Sequence, residues 1–566
     1  MVNGVSLRDR ARAYALVTVI GIAAVWLAVM LALPLRYPYA NDTAGYVEEA
    51  ANLLAGNGLR RSTYGSGTGR ELAPQPFFPP GFSIAIAGLG VFGVSPKAAS
   101  LALSWASWAL LTPAVFFALR TLLPGILLPG AIGITAATSP GLYEWGFQGL
   151  SDAPALLLSV MSIGALLRAV RQESADWQWA LFSGLSAGLA YAVRNAAVVL
   201  PPTAIAVFGA AIVWRTLCVR TALWRASAWG LGFAAILVPL LVRNALAFGQ
   251  IQPYFAHVGQ SDYGWISAVR LVLWSVLLDV TGSRVIADLA WSFVLLAVVG
   301  LPTTTIVLWL AARFWRGALP HARLAVFTLT VFVGLGLAMV AIGRVRFDWV
   351  ETTLTRYVMQ YSWAPLGITA AIVAGAALAP PVAVGALRQG TVVLLCALLI
   401  VGHAWFIRDD LAREAKIAGA FASQSDFITA ARSLRERTWV LTNQIRRAIA
   451  RDISLKLYVE GLPKDVELIS NFAPTLYLET GRICRSVQAT RDQLETIGKE
   501  AAQADGEPSL VGIFVPTDRM LRQPDAGAWQ RPVLEHLGPR FLVEKLSANV
   551  LIVRRPPSRP QDAGFR

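Results

Sequence analysis

The sequence contains few cysteines and few histidines for its length. Its 566 residues include three cysteines, at Cys218, Cys396 and Cys484, and four histidines. Cysteines so far apart lack metal-ligand spacing and predict no disulfide framework. The sequence also lacks a phosphate-binding glycine loop, a dinucleotide-binding glycine motif and a zinc-protease motif. We therefore expect no metal and no organic cofactor.

Charged residues are also scarce. They make up 15% of the chain, against 55% hydrophobic residues, and the mean hydropathy is +0.55. Soluble domains usually carry about 25% charged residues, so the composition indicates a polytopic membrane protein. Most of the net charge of +15 falls before Trp405. This distribution fits loop topology and anionic lipid phosphate better than it fits nucleic acid.

Long apolar runs are abundant. The run Phe82–Phe92 is too short to span and predicts a re-entrant or interfacial helix. If it does not cross, the loops on one side hold 13 Lys/Arg against three acids, which places that side and the N-terminus in the cytoplasm. Eleven runs have spanning length: 14–35, 98–119, 125–141, 153–170, 178–194, 196–214, 227–242, 289–312, 324–343, 361–380 and 391–407.

The composition changes near Trp405 to that of a soluble domain. The resulting fold class is a polytopic α-helical membrane protein over 1–407, with about eleven transmembrane helices and interfacial helices in the outer loop 36–97. A small C-terminal α/β extracytoplasmic domain is expected over 408–555, followed by a disordered tail at 556–566. In that domain, helical patterns at 423–437 and 490–502 alternate with β-rich runs at 439–442, 466–470, 510–515 and 550–553.

The outer loop after the first apolar run contains the first candidate site residues. Asp42 follows the run closely and is interpreted either as a helix cap or as a general base for an acceptor hydroxyl. Tyr46, four residues on, would share its helical face. Arg60 and Arg61 follow in a glycine-rich stretch, and we expect them to contact lipid head groups.

A second outer cluster precedes the run 153–170. It contains Tyr143, Glu144 and Asp152. Because Ser151 and Pro154 flank Asp152, this stretch also has the pattern of a helix start. Asp152 is therefore predicted either to cap the helix or to bind substrate, and one carboxylate can do both.

Two arginines near the ends of apolar runs are further candidates. Arg243 precedes Asn244, and Arg356 precedes Tyr357. Arginines near a membrane interface often only extend their guanidinium groups into water. A guanidinium also pairs with phosphate oxygens in a bidentate manner, so both arginines are candidates for binding a lipid phosphate.

Taken in order, these motifs resemble the GT-C membrane glycosyltransferases, in the bacterial branch related to protein O-mannosyltransferases and to the lipid A aminoarabinose transferase. Thr43 and Phe78 depart from the protein O-mannosyltransferase pattern, which usually has Glu and often His there. The motifs that carry the resemblance are Asp42-x-x-x-Tyr46 with Ala50, Pro79-Pro80-Gly81-Phe82 with Phe92-Gly93, Asp152, Arg243-Asn244 with Phe248-Gly249, Arg356-Tyr357, and Ser470-Asn471 with Pro474, Tyr477 and Thr480-Gly481-Arg482.

The resemblance implies a polyprenyl-phosphate-linked monosaccharide as donor. It implies a lipid, glycan or protein acceptor, approached from the extracytoplasmic face of a bacterial inner membrane. Asp42 would be the base and Asp152 and Glu144 second acids. The implied binding residues are Arg356, Arg243, Arg60 and Arg61 for the donor phosphate, and Tyr46, Tyr143 and Tyr357 for substrate.

Two other functions remain open from the sequence. A transporter or flippase of lipid-linked precursors would use the outer charges as a translocation path. Such a protein should show inverted repeats and polar residues within its mid-membrane helices, which we do not find in this sequence. An assembly subunit with a degenerate site is the third interpretation.

Overall fold

The structure is a computed structural model of the chain. It describes residues 7–61, 72–74, 78–120, 122–123, 126–171, 177–253, 264–283, 287, 315, 320–346, 355–375, 382–423, 438–463, 466–486, 494–497, 499, 510–515, 533, 535, 537, 541–547 and 550–554. The predicted run 289–312 and the predicted disordered tail lie outside these residues. So does most of the helical pattern at 423–437.

Helices dominate the described part of the chain. The helices are α1 (Leu7–Ala32), α2 (Asn41–Leu54), α3 (Gly81–Gly90), α4 (Pro96–Leu119), α5 (Leu127–Ala137), α6 (Pro140–Trp145), α7 (Asp152–Ala169), α8 (Trp177–Val193), α9 (Leu200–Val213), α10 (Val219–Phe248), α11 (Trp265–Thr281), α12 (Pro320–Arg346), α13 (Thr355–Val358), α14 (Trp363–Gly375), α15 (Val382–Ser423), α16 (Thr438–Arg451), α17 (Ile453–Gly461) and α18 (Ala473–Thr480). The strands are β1 (Arg60–Arg61), β2 (Ala73–Pro74), β3 (Glu467–Ser470), β4 (Arg485–Ser486), β5 (Leu510–Phe514), β6 (Leu542–Ser547) and β7 (Val550–Arg554).

Several of these helices are membrane spans by length and composition. A span needs about 20 apolar residues at a rise of about 1.5 Å each. The protein is therefore a multi-pass helical membrane protein, and α3, with 10 residues, is too short to span. Within the described residues, six helices are long and apolar enough to cross: Tyr14–Ala32, Pro96–Leu119, Asp152–Ala169, Asn195–Val213, Val219–Phe248 and Pro320–Val345.

Three sequence expectations differ from the structure. The apolar run 125–141 is divided between α5 and α6, because Pro140 begins a new helix and the Ser139 side chain accepts a hydrogen bond from Leu142 N at its start. Helix α11 did not appear among the predicted runs. The run 439–442, predicted as a strand, lies in helix α16, where a polar face carrying Arg446 and Arg447 gives the segment helical periodicity.

The described residues pack as two compact units. One falls within Met1–Met30, Pro76–Ala85 and Ser100–Asp409, and the other within Leu31–Gln75, Ile86–Ala99 and Asp410–Arg566. The domain division predicted between residues 407 and 408 stays a prediction.

In the first unit, small residues bring three helices close together. A Cβ at Gly184 of α8 would lie 2.0 Å from the Trp229 carbonyl oxygen of α10, so only glycine allows this approach. Helices α7 and α8 are joined by Ser162 and Ser183, each of which donates its hydroxyl hydrogen to the other's carbonyl, at 3.0 and 2.9 Å. This antiparallel packing brings the N-terminus of α7 and the C-terminus of α8 to the same end.

In the second unit, a five-stranded sheet has the order β4-β3-β5-β7-β6. Strand β3 is parallel to β4 and β5, whereas β7 is antiparallel to β5 and β6. Strands β3, β5 and β7 lie at three of the predicted β-rich runs. The unit also contains the short antiparallel pair β1-β2 and helix α2, which packs against α18.

Candidate active site

A buried ion cluster of Asp152, Arg194 and Arg356 lies at one end of α7 in the first unit. The Asp152 carboxylate is fully buried and accepts from Arg194 Nη1 at 3.0 Å. It also accepts from Arg356 Nε at 3.1 and 3.2 Å and from Arg356 Nη2 at 3.2 Å. The arginine side chains are 11% and 5% exposed. One carboxylate therefore fixes two guanidinium groups away from bulk water.

The local sequence explains why these three charges meet. Asp152 is the first residue of α7, after Ser151 at the N-cap position, where the helix dipole favours a negative charge. Arg194 leaves the end of α8 in an extended conformation before the 3₁₀-helix Asn195–Val199. Arg356 lies in the four-residue helix α13. Asp152 therefore lies at the helix start that the sequence predicted, and its role in binding substrate stays a prediction.

Aromatic side chains cover both arginines. The Arg356 guanidinium lies 5.1 Å from the Trp145 ring centroid, and that of Arg194 lies 5.3 Å from the ring centroid of half-buried Tyr357. At such distances the negative ring face attracts the cation. Tyr143 and Glu144 precede Trp145 in α6, and both are buried. The structure thus groups Asp152, Arg356, Tyr357 and the α6 residues of the predicted site.

A second buried carboxylate holds two of the segments that carry this cluster. Asp279, in α11, accepts from the Gly141 N–H of α6 at 2.7 Å, and its other oxygen accepts from the Ser362 hydroxyl. Ser362 follows α13 by four residues. Asp279 therefore fixes α6 and the segment after α13, which carry Trp145 and Arg356.

Arg243 belongs to a different group in the same unit. Its Nη1 donates to the Asn244 Oδ1 at 3.1 Å, and its guanidinium lies 5.3 Å from the Phe248 ring centroid. Asn244 donates in turn to the Ile251 carbonyl at 3.2 Å. These contacts order the C-terminal end of α10, which ends at Gly249 in the left-handed conformation.

The remaining predicted site residues lie in the second unit, on and beside α2. Asp42 is in the first turn of α2 and is half-buried, while Tyr46 on the same helix is buried. The backbone N–H of Ala40 donates to the Thr43 hydroxyl at 3.1 Å, which caps the helix. Glu48, further along α2, is 1% exposed. Asp42 is therefore the more accessible of these two carboxylates.

Arg60 and Arg61 point to opposite sides of strand β1. Arg60 is exposed, and its carbonyl accepts from Asn52 at 2.9 Å. Arg61 is 1% exposed and packs on α2, since a Cβ at Gly45 would lie 1.7 Å from its Nη1. Gly45 is three residues after Asp42, so the Arg61 guanidinium lies on the helical face that Asp42 shares.

Glu479 of α18 is a polar centre that the sequence did not single out. Its Oε1 accepts from Tyr37 and Lys97, both at 2.8 Å, and its Oε2 accepts from Lys456 at 3.0 Å. Burial opposes the negative charge, but the hydrogen bonds from Lys97, Lys456 and Tyr37 outweigh it and lower the pKa of Glu479. Glu479 therefore ties the start of the outer loop and α4 to α18.

Another buried charge cluster lies where α15 extends beyond its apolar run. Arg36 pairs with Asp410, and its Nε lies 3.4 Å from the Glu414 Oε1. Gln444 donates to the other Glu414 oxygen at 2.6 Å and to the Leu35 carbonyl at 2.9 Å. Burial raises the pKa of Glu414 to about 7, against the opposing effect of Arg36.

Two of the buried polar clusters contain residues that were not among the sequence candidates. Arg194 was visible as a charge at the end of an apolar run, but its pairing with Asp152 requires the α7–α8 hairpin. Glu479 lies between Tyr477 and Thr480 of a recognised motif, and its three partners come from distant parts of the chain. Ion-pair partners far apart in sequence leave no spacing signal.

The chain is similar in structure to solved membrane enzymes. No protein-family model and no curated protein matches it. The crystal structure of ArnT from Cupriavidus metallidurans bound to undecaprenyl phosphate matches with a TM-score of 0.56 and 15% identity, covering 96% of this chain and 99% of that one. The archaeal oligosaccharyltransferase AglB from Archaeoglobus fulgidus, in complex with an inhibitory peptide and a dolichol-phosphate, matches with a TM-score of 0.50 and 11% identity, covering 92% and 72%. The predicted resemblance to the GT-C fold is confirmed.

Proposed function

We propose that this chain, which shares the GT-C fold of ArnT and AglB, is a membrane glycosyltransferase. It would move a monosaccharide from a polyprenyl-phosphate carrier to an acceptor hydroxyl. The proposal places it in a bacterial inner membrane with a cytoplasmic N-terminus, with the reaction on the extracytoplasmic face. It uses no metal in this scheme.

The observation that carries this proposal is the extent of the match to ArnT. The alignment covers 96% of this chain and 99% of that structure, which contains undecaprenyl phosphate. A transferase of this fold needs both a membrane part to hold a lipid carrier and residues outside the membrane to hold an acceptor. A match over nearly the whole length of both chains includes both parts.

Asp42 is the proposed general base. In the reaction, the acceptor oxygen forms a bond to the sugar's anomeric carbon, the bond from that carbon to the phosphate oxygen breaks, and the hydroxyl proton passes to Asp42. A base must be reachable by its substrate, and Asp42 is half-buried whereas Glu48 and Asp152 are almost fully buried. Tyr46 and Arg61 would shape the surface of α2 beside it.

The arginines would stabilise the negative charge on the departing phosphate. Arg356 and Arg194 are held by Asp152, so their charges need little reorganisation when a second anion arrives. Two guanidinium groups held by one carboxylate offer several N–H donors to the oxygens of a phosphate. Asp152 is then a positioning residue that acts through these arginines, and Arg243 and Arg60 are proposed as further contacts to the lipid phosphate.

The α6 segment is proposed to bind the sugar. Glu144 and Tyr143 are buried next to Trp145, which packs on Arg356. Tyr357 packs on Arg194. In the proposal, Tyr143, Glu144 and Tyr357 would hold the hydroxyls of a donor sugar whose phosphate is bound by the arginine pair.

The experiment that tests this function follows donor breakdown. Purified protein in lipid is incubated with a panel of polyprenyl-phosphate monosaccharides and a membrane extract as acceptor source, and the free polyprenyl phosphate released is measured. We expect release from at least one donor by the wild type and a loss of about 100-fold or more in Asp42→Asn, the range for removing a general base.

The matched control is Glu460→Gln, which neutralises an exposed carboxylate of the same unit. It should release polyprenyl phosphate at the wild-type rate. Near-wild-type release by Asp42→Asn would refute the role of Asp42. No release from any donor by the wild type would refute the enzyme and favour a flippase or an assembly subunit.

A further inference from the structure

An apolar groove lies between α9 and α10, away from the residues assigned above. Its lining includes Ile205, Phe208 and Ile212 of α9 and Ala222, Leu223 and Trp229 of α10. The cavity is about 240 Å³, whereas one water needs roughly 10–15 Å³. Cavities with apolar walls stay dry and take up hydrocarbon. Ile205 and Leu223 are exposed by more than half, so the groove is accessible from the lipid side.

The groove has open space that a larger side chain could fill. Gly209 of α9 also lines it, and a Cβ built there meets no atom within 4 Å. In membrane helices, small residues usually allow a neighbouring helix to approach closely. Among the described residues, the space beside Gly209 is open, so the groove continues past this position.

Two arginines lie at one end of this groove. Arg215 follows α9 and Arg220 is in the first turn of α10, and both are exposed. Arg220 is three residues before the lining residue Leu223 and extends its helical face, while Arg215 lies two residues beyond the end of α9. A lipid whose chain lay in the groove would bring its head group to this turn.

The arginine end is opposite the Asp152 cluster. Asp152 begins α7, and the Arg225 guanidinium of α10 donates to the Ala169 carbonyl at 2.7 Å, at the other end of α7. The start of α10 therefore lies a full helix length from Asp152. The groove's polar end belongs to the other membrane leaflet.

The backbone conformation of Arg215 is a second observation in favour of a role for its side chain in binding. Its φ is +55°, and among the described residues it is the one non-glycine with a positive φ. Thr216 N–H donates to the Ala211 carbonyl at 2.9 Å, closing the helix end in the way that usually has glycine at this position. An arginine in that conformation is disfavoured relative to glycine, so a local backbone preference does not account for it.

We propose that this groove is a binding site for a diacyl phospholipid with an anionic head group, such as phosphatidylglycerol. One acyl chain lies between α9 and α10, and the phosphate pairs with Arg215 and Arg220. Basic pockets between membrane helices bind anionic head groups in this way. The site is independent of the proposed glycosyl transfer, since it lies at the opposite end of the helices.

Native mass spectrometry of the full chain tests the proposal. The protein is extracted from nanodiscs that contain equal amounts of dioleoyl-phosphatidylglycerol and dioleoyl-phosphatidylcholine. We expect a retained phosphatidylglycerol with roughly a 25-fold preference, since each of the two arginines contributes about fivefold. The variant Arg215→Gly/Arg220→Gln should lose this preference, and Gly209→Phe should lose retention of both lipids.

Three further variants separate lipid binding at the groove from general effects on the protein. Arg215→Gly introduces glycine, which the left-handed backbone at this position favours. Loss of lipid from this variant would therefore not be due to a folding defect. Arg12→Gln removes another exposed arginine, and Gly334→Phe fills space beside another glycine with an open Cβ position; both should behave as wild type.

Three results would overturn the proposal. One is equal retention of the two lipids by the wild type. Another is an unchanged preference in Arg215→Gly/Arg220→Gln or unchanged retention in Gly209→Phe. The third is displacement of phosphatidylglycerol by equimolar undecaprenyl phosphate, which would assign the groove to a polyprenyl chain.

Discussion

Replacing Asp152 by asparagine should destabilise the protein strongly. The carboxylate is fully buried and is shared by Arg194 and Arg356. Asp152→Asn keeps the shape but leaves two buried guanidinium groups without their anion. Breaking a buried ion pair by removing one partner costs about 3–5 kcal/mol, and we expect the free energy of unfolding to fall by that amount.

Two further variants show how much each ion pair of Asp152 contributes to the free energy of unfolding. Arg194→Gln leaves Asp152 paired with Arg356 and should cost about 1.5–3 kcal/mol, the range for a hydrogen bond to a charged group. Because the two residues share an interaction, Asp152→Asn/Arg194→Gln should cost less than the sum of the single changes. Asp42→Asn is the control, since a half-buried carboxylate in a first helical turn contributes about 0.3–1 kcal/mol.

The assay is equilibrium unfolding in mixed detergent micelles with increasing dodecyl sulfate. The 19 tryptophans of the chain give a strong fluorescence signal for this transition. A cost below about 1 kcal/mol for Asp152→Asn would be that of an exposed ion pair. That result would refute the buried cluster, as would strict additivity with Arg194→Gln.

Three further predictions concern the second unit. The pKa of Glu414 is raised from 4.5 to about 7, so the folded state binds this proton more tightly than the unfolded state does. The free energy of unfolding should therefore fall by about 3 kcal/mol as pH rises from 4.5 through 7. Glu414→Gln should flatten this change, and an unchanged pH profile in that variant would contradict the raised pKa of Glu414. Gly45→Ala should displace the buried Arg61 guanidinium, lower the free energy of unfolding by about 1–3 kcal/mol and slow glycosyl transfer. Gly88→Ala, whose Cβ meets open space, should leave stability and transfer unchanged. Equal behaviour of the two variants would contradict the packing of Arg61 on Gly45. Glu479→Gln should cost about 1–2 kcal/mol at pH 7 and reduce the loss of stability expected on acidification. Because the pKa of Glu479 is lowered, its contribution is fully present above the ordinary carboxyl pKa and is lost as pH falls through the lowered value. Thermal unfolding at pH 7 and pH 3.5 checks both.

Much of the membrane part could be predicted because one physical signal dominates it. Runs such as 98–119 and 153–170 are apolar for about the thickness of a bilayer, and helices α4 and α7 lie there. The signal fails where an apolar run contains a break, as at Pro140. It also fails for 439–442, where four residues suit a strand but the longer segment has the helical period.

The sequence suggests candidate site residues but not how they pair. Asp42, Asp152 and Arg356 are candidates because charges beside apolar runs are rare and costly, and their roles stay predictions. That Asp152 holds Arg356 and Arg194 together depends on three segments separated by up to 204 positions. Arg61 was expected at a lipid head group and is instead buried against Gly45, a contact that only the packing of β1 on α2 shows.

A single-turnover measurement on wild-type protein in lipid tests glycosyl transfer most directly. Undecaprenyl-phosphate monosaccharides with a radiolabelled sugar are supplied one at a time with acceptor extract, and free undecaprenyl phosphate and the labelled acceptor are quantified together. The proposed transferase predicts that one donor gives both products in equal amounts and that Asp42→Asn gives neither. Movement of intact donor across the bilayer without cleavage, or cleavage unaffected by Asp42→Asn, would contradict it.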